Sequence, residues 1–179
     1  RAVRPHILIG ATGTPDTFTR EAIESMCEIN ERPAVFALSN PTSRCECTAE
    51  QAYHWSQGKA IFASGSAFAT VSMEGQTFSP GQGNNVYIFP GIGLGAIISK
   101  SQTITDDMFL LAARCLADQV SPSDLQQGTI YPPLDKIREV SIRIAIVVAN
   151  YAWDHGLTQA PRPDDLERTI RDYMYDPKY

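Results

Sequence analysis

Three short apolar runs, each closed by a polar or glycine-rich break, constrain the fold of this chain more than any other feature. His6-Ile-Leu-Ile9 ends at Gly10-Ala-Thr-Gly13, Ala34-Val-Phe-Ala-Leu38 at Ser39-Asn-Pro-Thr42, and Ala60-Ile-Phe-Ala63 at Ser64-Gly-Ser66. Runs that are apolar at successive positions fit parallel strands covered on both faces. Between them lie helical signals. Thr19 precedes a segment through Met26 and Ile29, and Thr48-Ala-Glu-Gln51 reads as a capping box that Gly58 closes. Strand, helix, strand, helix, strand specifies a parallel sheet with right-handed crossovers, so the expected fold class is α/β.

The pattern then changes. Thr70-Val-Ser-Met73 and Gln76-Thr-Phe78 flank Glu74-Gly75, a hairpin signal, and the glycine-rich stretch Pro80 to Asn85 follows. From Ile92 the spacing becomes helical. Helices are expected from Thr105 to about Val120, at Ser123 to Gln127 as a short turn or helix stopped by Gly128, and from Leu134 to His155, ended by Gly156. Pro161 and Pro163 lead into a final amphipathic helix near Asp164 to Tyr173. At 43% hydrophobic and 20% charged residues, the chain can bury a core. We divide it into 1–157, one sheet-containing domain, and 158–179, a helical tail.

A net charge of -5 argues against a nucleic-acid partner, which would call for clustered Lys and Arg. The longest apolar stretch, Val86 to Ser99, is broken by Pro90 and glycines and is too short to span a bilayer, so no membrane insertion is expected. Cys27, Cys45, Cys47 and Cys115 show no secreted-domain spacing, which points to reduced thiols inside a cell. Cys45 and Cys47 alone make a weak metal signal and are read as small loop and helix-start residues. The start at Arg1, close to a strand-like run, is read as the edge of a piece of a longer protein.

In an open parallel sheet, ligands lie beyond the carboxyl ends of the strands. The loops Gly10-Ala-Thr-Gly13, Ser39-Asn-Pro-Thr42 and Ser64-Gly-Ser66 would share that edge. Gly81-Gln-Gly-Asn-Asn85 adds two glycines that let backbone approach closely and paired amides suited to a carboxylate or carboxamide. Asn40, held extended before Pro41, offers the same chemistry. The alternative for Asn84 and Asn85 is a turn bonded to its own backbone. No histidine among His6, His54 and His155 falls at this edge, Tyr87 reads as core, and no acidic cluster points to a hard-cation site. A bound diacid would therefore need cations from elsewhere.

The chain resembles malic enzymes over nearly its whole length. The resemblance is carried by Ile9-Gly-Ala-Thr-Gly13, Ile29-Asn-Glu-Arg-Pro-Ala-Val-Phe-Ala-Leu-Ser-Asn-Pro-Thr42, Glu46-Cys-Thr-Ala-Glu50 and Phe62-Ala-Ser-Gly-Ser66. It continues in Phe78-Ser-Pro-Gly-Gln-Gly-Asn-Asn-Val-Tyr-Ile-Phe-Pro-Gly91 and Tyr131-Pro-Pro133. It implies a Rossmann-like parallel sheet, the latter half of an NAD(P)-binding domain, with a helical extension at the carboxyl terminus. It further implies oxidative decarboxylation of malate to pyruvate with NAD or NADP and Mg or Mn, in a cytoplasmic homo-oligomer. Asn40, Asn84 and Asn85 would meet malate. Gly10, Ala11, Thr12 and Gly13, with Asn40 and Asn84, would meet the cofactor. The family's catalytic tyrosine and lysine, metal carboxylates, malate-binding arginine and first glycine-rich fingerprint have no matching position here, so the chain alone is expected to be inert. Thr14-Pro15 departs from the small residues that usually follow the family's Gly-x-x-Gly. Alternatives are a malolactic enzyme of the same architecture and a non-catalytic folding or assembly module.

Overall fold

The computed structural model describes residues 3–175, the side chain of Gln126 excepted. Its described residues form two compact units. The first runs up to Asn84 and includes Val120–Tyr131; the second comprises Asn85–Gln119 and the residues from Pro132 onward. This division cuts across the sequence-based boundary after residue 157.

The first unit is the alternating part of the chain. Strands β1 (Ile7–Gly10), β2 (Ala34–Ala37) and β3 (Ile61–Ser64) alternate with helices α1 (Arg20–Ile29) and α2 (Ala49–Ser56). A hairpin, β4 (Val71–Met73) and β5 (Gln76–Phe78), precedes β6 (Gly81–Gln82). The main sheet has the order β1-β2-β3-β6, every pair parallel, with Gly10 beside Ala37 and Ala37 beside Ser64. Strands laid down in sequence, each joined by a right-handed crossover, put both helices on one face. Ile23 of α1, Ala52 and Tyr53 of α2, Val35 and Ala37 of β2 and Phe62 of β3 form one cluster there. Burial of each large apolar side chain in it is worth about 1.5–3 kcal/mol.

Local chemistry fixes the helix ends as the sequence indicates. The Thr19 hydroxyl accepts from the Ala22 amide, and Thr48 and Gln51 exchange hydrogen bonds in a capping box. In the hairpin, Glu74 and Gly75 both take positive φ, the turn whose twist matches its strands.

Two expectations are corrected. The apolar runs predict strands covered on both faces, yet β1 lies at the sheet edge and exposes Ile7 by 51% and Ile9 by 61%. Only Leu8, turned to the other face, packs on the helix-covered cluster. The stretch Pro80 to Asn85, which carries no strand signal, contains β6, which takes strand geometry from its pairing with Ala63 and Ser64 and leads into Asn84.

In the second unit, α3 (Phe89–Ser99), α4 (Asp106–Ala117), α6 (Ile137–Asp154) and α7 (Leu166–Tyr173) pack together, while the short α5 (Pro122–Gln126) belongs to the first. Gly91 and Gly95 of α3 lie against Ile144, Ala145 and Val148 of α6, where any side chain would collide. Ile170 of α7 is fully buried with Ile142 and Ala145, and Arg171 reaches Glu139 at 2.9 Å. Tyr87 is core, as read, donating to the Pro132 carbonyl at 2.7 Å. Among the described residues no helix is long and apolar enough to cross a membrane.

Candidate functional site

Because β1, β2, β3 and β6 run parallel, their carboxyl ends define one rim, where backbone groups outrun the ladder and loops converge. The ladder itself carries into these loops: the Leu38 amide donates to Gly10, that of Gly65 to Ala37, and that of Gly83 to Ser64.

The loop after β1 is tied to the loop after β2 through a carboxylate. Glu46, between a 3-10 turn at Thr42–Arg44 and α2, is fully buried. The Thr12 amide and hydroxyl donate to its Oε1 at 2.7 and 2.9 Å. The Ser39 hydroxyl donates to the same oxygen at 2.5 Å, and the Ser39 amide to Oε2 at 3.3 Å. The Gly13 amide in turn donates to Ser39 Oγ at 2.9 Å. Burial alone would push the Glu46 carboxyl upward, but the Ser39 hydroxyl and the Thr12 amide and hydroxyl outweigh it and hold its pKa at about 2. Near neutral pH it is a fixed, internal anion. It is a poor general base.

This arrangement settles how the Gly10–Gly13 loop is presented. Gly10 is buried, and a Cβ there would stand 2.7 Å from Glu46 and Phe18, so its missing side chain makes room for the carboxylate. Ala11 and Thr12 are exposed, and Gly13, half-buried, takes φ 65°.

The loop after β2 is tied in the same way to the loop after β3. Asn40 is exposed, precedes a cis Asn40–Pro41 peptide, and accepts from the Ser66 hydroxyl on Oδ1 at 2.5 Å. Its Nδ2 reaches only the Leu38 carbonyl, at 3.5 Å, the outer limit of a hydrogen bond. Gly65 lies directly beneath, where a Cβ would be 2.4 Å from the Leu38 oxygen and 2.6 Å from Asn40 Nδ2.

Asn84 follows the carboxyl end of β6 and so belongs to the same rim as Asn40; its side chain is exposed and its amide donates to the Gln82 carbonyl. Asn85, also exposed, opens the second unit with a 3-10 turn, its carbonyl accepting from Ile88. The neighbouring glycines serve packing. Gly81 and Gly83 lie within 3.2 Å of Tyr131, counted from where a Cβ would stand.

His6 precedes β1 at the opposite sheet edge, His54 is exposed on α2, and His155 stacks on Tyr151 after α6. Cys45 and Cys47 are buried free thiols; Cys45 donates to the Ala37 carbonyl, and burial pushes the Cys47 thiol up to about 12. A hollow of about 460 Å³ lined by Val3, Arg4, Pro5, Met26 and Ile29 lies at the amino-terminal pole and shares no residue with the rim. Among the described residues no three His, Cys, Asp or Glu side chains are arranged to hold a metal ion. The described donor set therefore does not fit a divalent cation.

The rim has the form of a dinucleotide-domain ligand edge, and comparison with known proteins decides which kind. A family model for the NAD-binding domain of malic enzyme matches residues 1–153. The chain belongs to the malic enzyme family. It is 52% identical to a chloroplastic NADP-dependent malic enzyme of Zea mays over 100% of this chain and 28% of that protein. It is 50% identical to an NADP-dependent malic enzyme of Dictyostelium discoideum, over 100% of this chain and 33% of that one. A crystal structure of malic enzyme from Entamoeba histolytica superimposes with a TM-score of 0.71 at 28% identity, covering 95% of this chain and 31% of the other. The chain thus spans about a third or less of the length of these malic enzymes. The expected fold class holds, as does the NAD(P)-domain assignment. Glu46 and Ser39 were not singled out by sequence reasoning. The one available signal was an acid between two cysteines, in a segment that repeats the family string Glu46-Cys-Thr-Ala-Glu50.

Proposed function

We infer that this chain serves a malic enzyme that oxidatively decarboxylates (S)-malate to pyruvate and CO2 with reduction of NAD or NADP. Residues 1–157 would supply the latter part of the cofactor domain and 158–179 a helical tail. The observation that carries this reading is the joining of the three loops at one rim of a malic enzyme NAD-binding sheet, with the Asn40 amide exposed there. In it, Asn40, Asn84 and Asn85 bind malate, and Gly10, Ala11, Thr12 and Gly13 with Asn40 and Asn84 bind the cofactor. The bound cofactor supplies the hydride acceptor. A side-chain amide suits this task because it donates to a substrate carboxylate while its oxygen is held by a neighbour.

The charge balance requires a longer protein. Two carboxylates of malate leave water only where cations compensate them; the loops of the rim offer mainly amides and hydroxyls, with Glu46 as an internal anion and Arg44, exposed in the loop after β2, as a cation. In this reading the remaining positive charge, the acid-base groups and the ligands for Mg or Mn come from segments outside this chain, in a homo-oligomer. A cytoplasmic setting agrees with four free thiols.

The test compares the isolated chain with the longest protein that contains it, each given malate, NADP or NAD and manganese. The longer protein is expected to produce reduced cofactor and pyruvate in equal amounts, and the isolated chain none. Lactate without reduced cofactor would replace this reading with a malolactic one. Turnover by the isolated chain would overturn the division of labour.

A further inference from the structure

The sheet rim contains a buried charge that the proposed chemistry does not use. Glu46 is fully buried, and the donors that reach it, two backbone amides and two hydroxyls, come from Thr12 and Ser39. Those two residues sit in the loops after β1 and β2, which carry Gly13 and Asn40. Burying an ionised carboxylate is costly unless its oxygens are saturated, so a carboxylate here enforces the positions of its donors. Thr12, 34 residues away in sequence, cannot shift without stranding the charge. Nor can Ser39, which also accepts from the Gly13 amide.

We propose that Glu46 is a positioning residue, an internal anion that locks the Thr12–Gly13 loop to the Ser39–Asn40 loop in the spacing needed to grip cofactor and malate together. The inference rests on the function proposed above. Its logic is one of donor matching. A carboxylate accepts on both oxygens, whereas an amide of the same shape must turn its NH2 toward a backbone N–H that can only donate, that of Ser39 at one oxygen position or that of Thr12 at the other. Glu46→Gln therefore preserves volume but removes the charge and sets an NH2 against at least one of these amides, which weakens the lock. Gly10 completes the arrangement, because only a residue without a side chain leaves space for the Glu46 carboxyl.

The experiment is run on the longest protein carrying this chain, measuring NADP affinity by titration and the KM values for malate and NADP. With E46Q, kcat/KM is expected to fall about 10- to 100-fold, the scale of a small misplacement of binding groups, carried mainly by the KM terms and by weaker NADP binding. Ile23→Ala, a cavity in the same core but away from the rim, is the control: it should lower Tm and leave both KM values in place. If E46Q does not accumulate as folded protein, Ser39→Ala, which removes the hydroxyl between Gly13 and Glu46, should raise the same KM values severalfold. An active wild type beside E46Q or S39A variants with unchanged KM overturns the proposal alone. A longer protein that neither binds NADP nor oxidises malate overturns the functional reading, and the proposal with it.

Discussion

The Ser66 hydroxyl donates to Asn40 Oδ1 at 2.5 Å across 26 residues of chain, and it thereby fixes the orientation of the Asn40 amide. With its oxygen occupied, Asn40 keeps Nδ2, whose contact to Leu38 is at the limit of hydrogen bonding, as the donor to present to an incoming carboxylate. Ser66→Ala releases the amide to rotate. A hydrogen bond of this kind is worth about 1 kcal/mol, so in the longer protein KM for malate should rise roughly fivefold with little change in kcat. Initial-rate kinetics check this, and an unchanged KM would mean that Asn40 is oriented by something else.

Gly65 is required for the same contact. A Cβ at this position meets the Leu38 carbonyl oxygen at 2.4 Å, and a backbone atom cannot swing aside as a side chain can. Gly65→Ala should cost about 1–3 kcal/mol, as overpacking does, seen as a lower urea midpoint of the 179-residue chain. An alanine variant as stable as the parent would show that the β2 and β3 loops separate easily.

Acid should undo the loop lock. The Glu46 carboxyl is held at about 2 in the fold, against an ordinary value of 4.5. A depressed carboxyl contributes stability that is fully present above the unfolded value and is lost as pH falls from about 4.5 toward 2. The loss should be on the order of 2 kcal/mol, allowing for screening by solvent at the nearby rim. Chemical denaturation at stepped pH should show a decline across this window in the parent and a flatter one in E46Q. Matching slopes in the two proteins would mean that Glu46 is not ionised in the fold.

What the sequence revealed and what it hid follow from the range of the interactions involved. Strand ends, the caps at Thr19 and Thr48 and the hairpin at Glu74-Gly75 are set by neighbours within a few residues, and all appear in the structure. The loop containing Asn40 was legible for the same reason. Glu46 was not, because its burial is decided by Thr12, far off in the chain, and an acid just before a helix reads locally as a solvated cap. The two residues of β6 carry no strand signal of their own and become a strand only beside β3. The apolar run through Ile7 and Ile9 predicts cover on both faces, but a run of this kind does not say that its strand is the edge one, and both side chains are exposed.

Helix α3 offers a test of packing that needs no ligand. It is apolar on nearly every side, yet its three internal glycines meet different surroundings. At Gly95 a Cβ would stand 2.8 Å from the Ala145 carbonyl and 2.9 Å from the Val148 Cβ, so the glycine is what lets α3 approach α6. At Gly91 the obstacle is Ile144, at 2.6 Å. At Gly93, on the same helix, a Cβ would meet nothing within 4 Å. Gly95→Ala should therefore destabilise the chain by about 1–3 kcal/mol through forced separation of the helices. Gly93→Ala should stabilise it by roughly 0.5–1 kcal/mol, since alanine restricts the unfolded chain and favours helix. Opposite shifts in Tm from one chemical change, two residues apart, can come only from which side of α3 faces α6; equal shifts would show that this face has been assigned wrongly.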